Sequence, residues 1–113
     1  MLKRYNRLTK RGSFAYVYNK GQSQSAKLLR FCYVKNKKGV KIGFTINNKI
    51  GKAVVRNKIK RQMRAIMIPL IKDIKPVQAV FVAKEGISLL SYSQLNKLML
   101  DLLIKSKLYE KSN

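Results

Sequence analysis

Lys and Arg supply seven of the sixteen residues from Lys49 to Arg64, and no Asp or Glu interrupts them. The chemistry open to such a segment is charge neutralisation. Ammonium and guanidinium groups bind phosphate oxygens, and a guanidinium can hold a phosphate through two donors. The spacing adds geometry. At about 100° per residue, Val55, Ile59, Gln62, Met63 and Ile66 share one arc of a helix running from about Ala53 to Met67. Arg56, Asn57, Lys60, Arg61 and Arg64 fall in the neighbouring arc, with Lys58 just beyond it. One face can meet a core while the other carries an unbroken cationic stripe. Solvated surface helices usually mix signs to relieve such repulsion, so this stripe calls for a polyanion.

The whole chain repeats the imbalance. It has 26 Lys and Arg against Asp73, Glu85, Asp101 and Glu110, a formal net charge of +22 in 113 residues. Self-repulsion of that size opposes compaction and is relieved when a nucleic acid neutralises it. A hydrophobic content of 46% is nevertheless ample for a core, so a folded domain is expected rather than a disordered basic tail. With no histidine and four scattered carboxylates, neither His-based acid–base chemistry nor a carboxylate metal site is available. The expected catalytic and metal-ligating residues of this chain are therefore none. Cys32 is the sole cysteine and reads as a small buried residue. No apolar run approaches the ~20 residues of a membrane span and no signal-peptide core opens the sequence, so a cytoplasmic setting without a membrane is expected.

Elements to position the basic helix can be read from periodicity. Thr9 is placed to cap a first helix bearing Phe14, Val17 and Tyr18 and ending near Gly21. Gln22 to Ala26 suits a loop or short edge strand. Leu28 to Lys35 alternates, with Leu29, Phe31 and Tyr33 on one side and Leu28, Arg30, Cys32 and Val34 on the other. The run from Asn36 to Gly39 reads as a hairpin turn into a strand whose apolar face is Val40, Ile42, Phe44 and Ile46. Pro69 should end or kink the basic helix. Val77 to Ala83 is almost continuously apolar, as in a strand covered on both faces. Ser91 and Gln94 have capping-box spacing before Leu95, Leu98, Met99, Leu102 and Leu103, the stripe of a last helix. One sheet with helices packed on it follows, with the basic helix crossing between two strands.

These residues resemble a known family, the protein subunit of bacterial ribonuclease P. The strongest match is the unbroken stretch from Ile42 to Arg64, which contains Lys49-Ile50-Gly51-Lys52-Ala53-Val54 and Arg56-Asn57-Lys58. A second is Arg7-Leu8-x-Lys10-x-x-x-Phe14-x-x-Val17-Tyr18-x-x-Gly21, like the family's N-terminal helix. The resemblance covers nearly the whole chain. It implies one RNA-binding domain over residues 1–113, an α+β two-layer α–β sandwich of order αβββαβα. A left-handed βαβ crossover is part of that fold, which is like the second domain of ribosomal protein S5.

The same resemblance implies a protein that assists a catalytic P RNA in removing the 5′ leader of precursor tRNA, one protein per RNA, with Mg²⁺ held mainly by the RNA. It assigns P RNA binding to Lys49, Lys52, Arg56, Asn57, Lys58, Lys60, Arg61 and Arg64. Two departures stand out: Lys58 replaces the family's usual Arg and loses its planar fork, and Asn48 stands where a Lys is frequent. Leader binding falls to Phe14 and Tyr18, to Phe31 and Tyr33 on the strand, and to Lys60, which borders both surfaces. Aromatic platforms in a cationic groove suit single strands because every base offers a stacking face. One extra residue between Gly21 and Phe31 would exchange the strand's faces. The alternative to this family is a ribosomal or general basic RNA-binding protein without a catalytic RNA partner. Such a protein would share the charge but has no reason to combine both motifs.

Overall fold

A computed structural model of the chain describes residues 6–37 and 39–109. Helix α1 (Arg11–Lys20) is followed by strands β1 (Gln22–Ser25), β2 (Leu29–Lys35) and β3 (Lys41–Ile46). Helix α2 (Ala53–Met67), strand β4 (Val77–Ala83) and helix α3 (Tyr92–Lys105) complete the αβββαβα order. The four strands form one sheet of order β1-β2-β4-β3. β4 runs antiparallel to β2 and parallel to β3, so α2 is the crossover between two parallel neighbours.

The strand order corrects the hairpin expected between β2 and β3. β4 lies between them, because its near-continuous apolar sequence can be covered on both faces while β3 and β1 take the edges. The turn that joins β2 to β3 instead brackets the start of β4: Asn36 N–H donates to Pro76 O, and Val77 N–H to Gly39 O. Lys38 of that turn lies outside the described residues.

The sheet has two unequal faces. Phe31, Phe81, Ile42, Val77 and Ala79 pack against Ile59, Met63 and Met67 of α2 and Leu95, Met99 and Leu103 of α3. A smaller cluster of Val17, Cys32, Val80 and Leu8, edged by Phe14, Val34 and Val82, seats α1 on the other face. Burial pushes the Cys32 thiol pKa up, against a weaker opposing pull from Arg30. Three local features follow the sequence closely. α2 spans Ala53–Met67 and gives way at Pro69 to a 3-10 stretch, Ile68–Asp73. Ser91 and Gln94 form the reciprocal capping box of α3. β1 is the short edge strand.

Thr9 is not the cap of α1; Lys10 takes that position. The reason is tertiary. Leu8 N–H donates to Ile42 O at 3.0 Å and Arg7 bridges Ile42, which holds the incoming chain extended along the edge of β3.

Candidate RNA-binding surfaces

The basic helix is set by the turn before it. Asn47 Oδ1 accepts the Lys49 N–H at 2.9 Å, tightening a 3-10 turn at Asn48–Ile50. Arg56 then reaches back: its Nε donates to Gly51 O at 3.1 Å and its Nη1 to Asn48 Oδ1 at 2.7 Å. Two of its five donors are therefore committed within the chain. Asn48, read from sequence as a missing cation, is the acceptor that holds Arg56. Ile59, Met63, Ile66 and Met67 bury the core face of α2, with Val55 and Gln62 half-buried beside them. Asn57, Lys58 and Arg61 are exposed, as are Lys49 and Lys52 before the helix.

Lys60 and Arg64 are half-buried and flank this stripe on the side toward β3. Together with Phe14, the segment Arg7–Thr9 and Ile42–Phe44, they line a groove of about 230 Å³ at the edge of β3. Gly43 makes the groove possible. A Cβ there would stand 2.6 Å from the Phe14 ring, so the ring lies over bare backbone. One helical turn after Phe14, Tyr18 remains 40% exposed while its hydroxyl is 2.6 Å from Thr45 Oγ1. The Phe14 and Tyr18 rings are 6.5 Å apart and tilted by 50°, side by side along one edge of α1. Cationic groups and two accessible ring faces thus converge at one edge of the sheet.

Phe31 and Tyr33 are not part of this convergence, which corrects their expected role. Alternation pairs them on one face, as read, but that face packs under α2 and α3. Phe31 is fully buried against Phe81, with centroids 4.6 Å apart, and the Tyr33 hydroxyl donates to Gln22 Oε1 at 3.1 Å. The side of β2 turned toward α1 carries Cys32 and Val34. Phe14 serves twice, as an edge of the smaller core and as a groove wall. Sequence reasoning missed Gly43, Thr45 and the Arg7–Thr9 segment, and it left Arg64 out of the groove. A glycine interrupting an otherwise apolar-alternating strand was the available signal for a close approach.

The Mg²⁺ implied by the family finds no suitable set of donors among the described residues. Among the described residues no three His, Cys, Asp or Glu side chains come together, and both surfaces are lined by cations that would repel a metal ion. No step is therefore derived through a metal on the protein.

The comparisons with known proteins agree with this architecture. A family model described as Ribonuclease P matches residues 2–107. A ribonuclease P protein component from Clostridium botulinum is 34% identical over 107 residues, covering 92% of this chain and 96% of the relative. One from Bacillus velezensis is 30% identical, covering 99% and 98%. The structure of the Staphylococcus aureus RNase P protein superposes with a TM-score of 0.88 at 25% identity, covering 96% of this chain and 100% of that one. That from Thermotoga maritima gives 0.81 at 26% identity, covering 88% and 96%. A small cationic sandwich with a basic crossover helix is the class that these matches define, and the chain belongs to the ribonuclease P family. Its relatives there are the protein component, the accessory subunit of an endoribonuclease that processes tRNA.

Proposed function

We propose that this chain docks on a catalytic P RNA through the outer face of α2 and the turn before it, and grips the 5′ leader of precursor tRNA in the groove beneath Phe14. One observation carries the reading: a groove that combines accessible aromatic faces with Lys60 and Arg64 adjoins, on the same helix, an exposed stripe of Asn57, Lys58 and Arg61. The stripe neutralises phosphates of the structured RNA and releases counterions. In the groove, Phe14 and Tyr18 offer faces to unpaired bases, while the two cations hold the adjoining backbone.

The protein adds binding and orientation, and bond cleavage with its Mg²⁺ belongs to the RNA. With no histidine, the chain has no ordinary general base near neutral pH. One protein per RNA, acting in the cytoplasm, completes the reading.

Single-turnover cleavage of a precursor tRNA by a bacterial P RNA, with and without this chain at low Mg²⁺, tests it. Faster cleavage and tighter binding of precursor than of mature tRNA are expected. A rate and affinity indifferent to the protein would refute the assignment, as would 5′ processing by RNA-free protein.

A further inference from the structure

The face of α2 directly opposite its core stripe is not purely cationic. Val54 is 80% exposed and Ile68 40% exposed, and Ala65 lies open between them. At helical spacing Val54, Arg61, Ala65 and Ile68 fall within an arc of roughly 60°, a strip about 21 Å long. A concavity of about 630 Å³ runs along it, walled by Asn57, Lys60 and Arg64. Exposed Val and Ile on the most cationic element of the chain contribute nothing to phosphate neutralisation. Nor are they held there by the fold, since the core of α2 lies on the other side.

Charge settles what can cover this strip. A second copy of the chain would bring another +22 against the same face. An RNA surface is complementary to the surrounding cations, and it also offers apolar area wherever a base is unstacked. We propose that the Val54–Ala65–Ile68 strip seats the face of an unstacked nucleobase of P RNA, with Arg61 holding a flanking phosphate. This rests on the proposed docking of α2 on P RNA and adds its chemistry: part of the affinity is apolar and indifferent to salt. Phosphate contacts weaken with rising salt through counterion uptake, whereas burial of Val and Ile carries no such dependence.

The test compares P RNA affinity over a salt series for the wild type, for V54S/I68S and for K58A/R61A. V54S/I68S should bind about 5–10-fold more weakly at every salt concentration, with an unchanged log–log slope. K58A/R61A should lower the slope by about 1.4–1.8. A V54L variant, which keeps the apolar surface, should bind like the wild type, and an unchanged melting temperature for all variants confirms that the fold is intact. Wild-type affinity in V54S/I68S overturns the inference, as does a loss accompanied by a flatter slope. Self-association of the wild type that V54S/I68S abolishes, with RNA affinity retained, assigns the strip to a protein contact and also overturns it. Failure of the docking reading itself looks different: the wild type would then show no salt-dependent affinity for P RNA at all.

Discussion

The Arg56 guanidinium donates to Asn48 Oδ1 across a turn that also supplies it with Gly51 O. A cation of the basic helix thereby clamps the loop that leads into it. Arg56→Ala should cost about 1 kcal/mol of stability as well as RNA affinity. Arg56→Lys keeps the charge but cannot make both bonds, so it should recover affinity only in part. Lys60→Ala and Arg64→Ala have no such partner in the turn. They should leave the melting temperature unchanged while each lowers the salt-dependence slope of RNA binding by about 0.7–0.9. Equal melting temperatures for Arg56→Ala and Lys60→Ala would remove the clamp.

Tyr18 separates ring from hydroxyl. Tyr18→Phe loses the contact with Thr45 Oγ1 but keeps the stacking face, so precursor-tRNA affinity should hold. Tyr18→Ala should weaken precursor binding to the holoenzyme by about 1–3 kcal/mol and leave mature tRNA binding unchanged. An equal loss for both substrates takes Tyr18 out of the leader groove.

Gly43→Ala probes the groove floor. The added methyl occupies the place of the Phe14 ring edge and presses on Leu8 Cβ at 3.2 Å. The half-buried ring should swing outward, costing about 1–2 kcal/mol of stability. Leader-dependent affinity should fall with it, while P RNA assembly on α2 persists. Normal discrimination between precursor and mature tRNA in this variant would show that the ring position is irrelevant to leader binding.

Lys107 is a non-glycine residue at φ 62. It closes α3: Leu108 N–H donates to Leu103 O and Lys107 N–H to Ile104 O, the bond pair that favours glycine at this position. Lys107→Gly should therefore stabilise the fold by about 1 kcal/mol, raising the melting temperature by several degrees. A lowered melting temperature would mean that the Lys107 side chain contributes more than its backbone strain costs.

Local signals in the sequence carried far, and non-local ones did not. α2 could be bounded at Ala53 and Met67 because its apolar period and Pro69 lie within the segment itself. The Ser91–Gln94 box spans a single turn and was equally plain. The neighbour of β2 was not, because adjacency along the chain favours a hairpin whereas the apolar content of β4 wins the central place through contacts some fifty residues apart. Alternation likewise grouped Phe31 with Tyr33 but carries no information on which face α1 covers. Thr9 had the chemistry of a cap and lost that role to a strand-edge hydrogen bond made by Leu8. The basic helix was legible as a cationic stripe beside a core face, and the division of its cations between two surfaces was not. That division depends on how α2 passes the edge of β3.

The central place of β4 also governs the order of events at the ribosome. β4 hydrogen-bonds both β2 and β3, yet it is synthesised after both and after α2. Until residues 77–83 emerge, the nascent sheet is a β1–β2 hairpin and a separate β3 without the partner that joins them. α2 then has no completed sheet on which to bury Ile59 and Met63, although its Lys and Arg side chains are already able to meet RNA. The loops to be closed are long, and loop closure precedes the contacts that reward it. A polyanion that binds only the finished arrangement raises its population by mass action. An RNA partner of that kind would link subunit assembly to completion of the sheet and serve as a folding ligand for the protein.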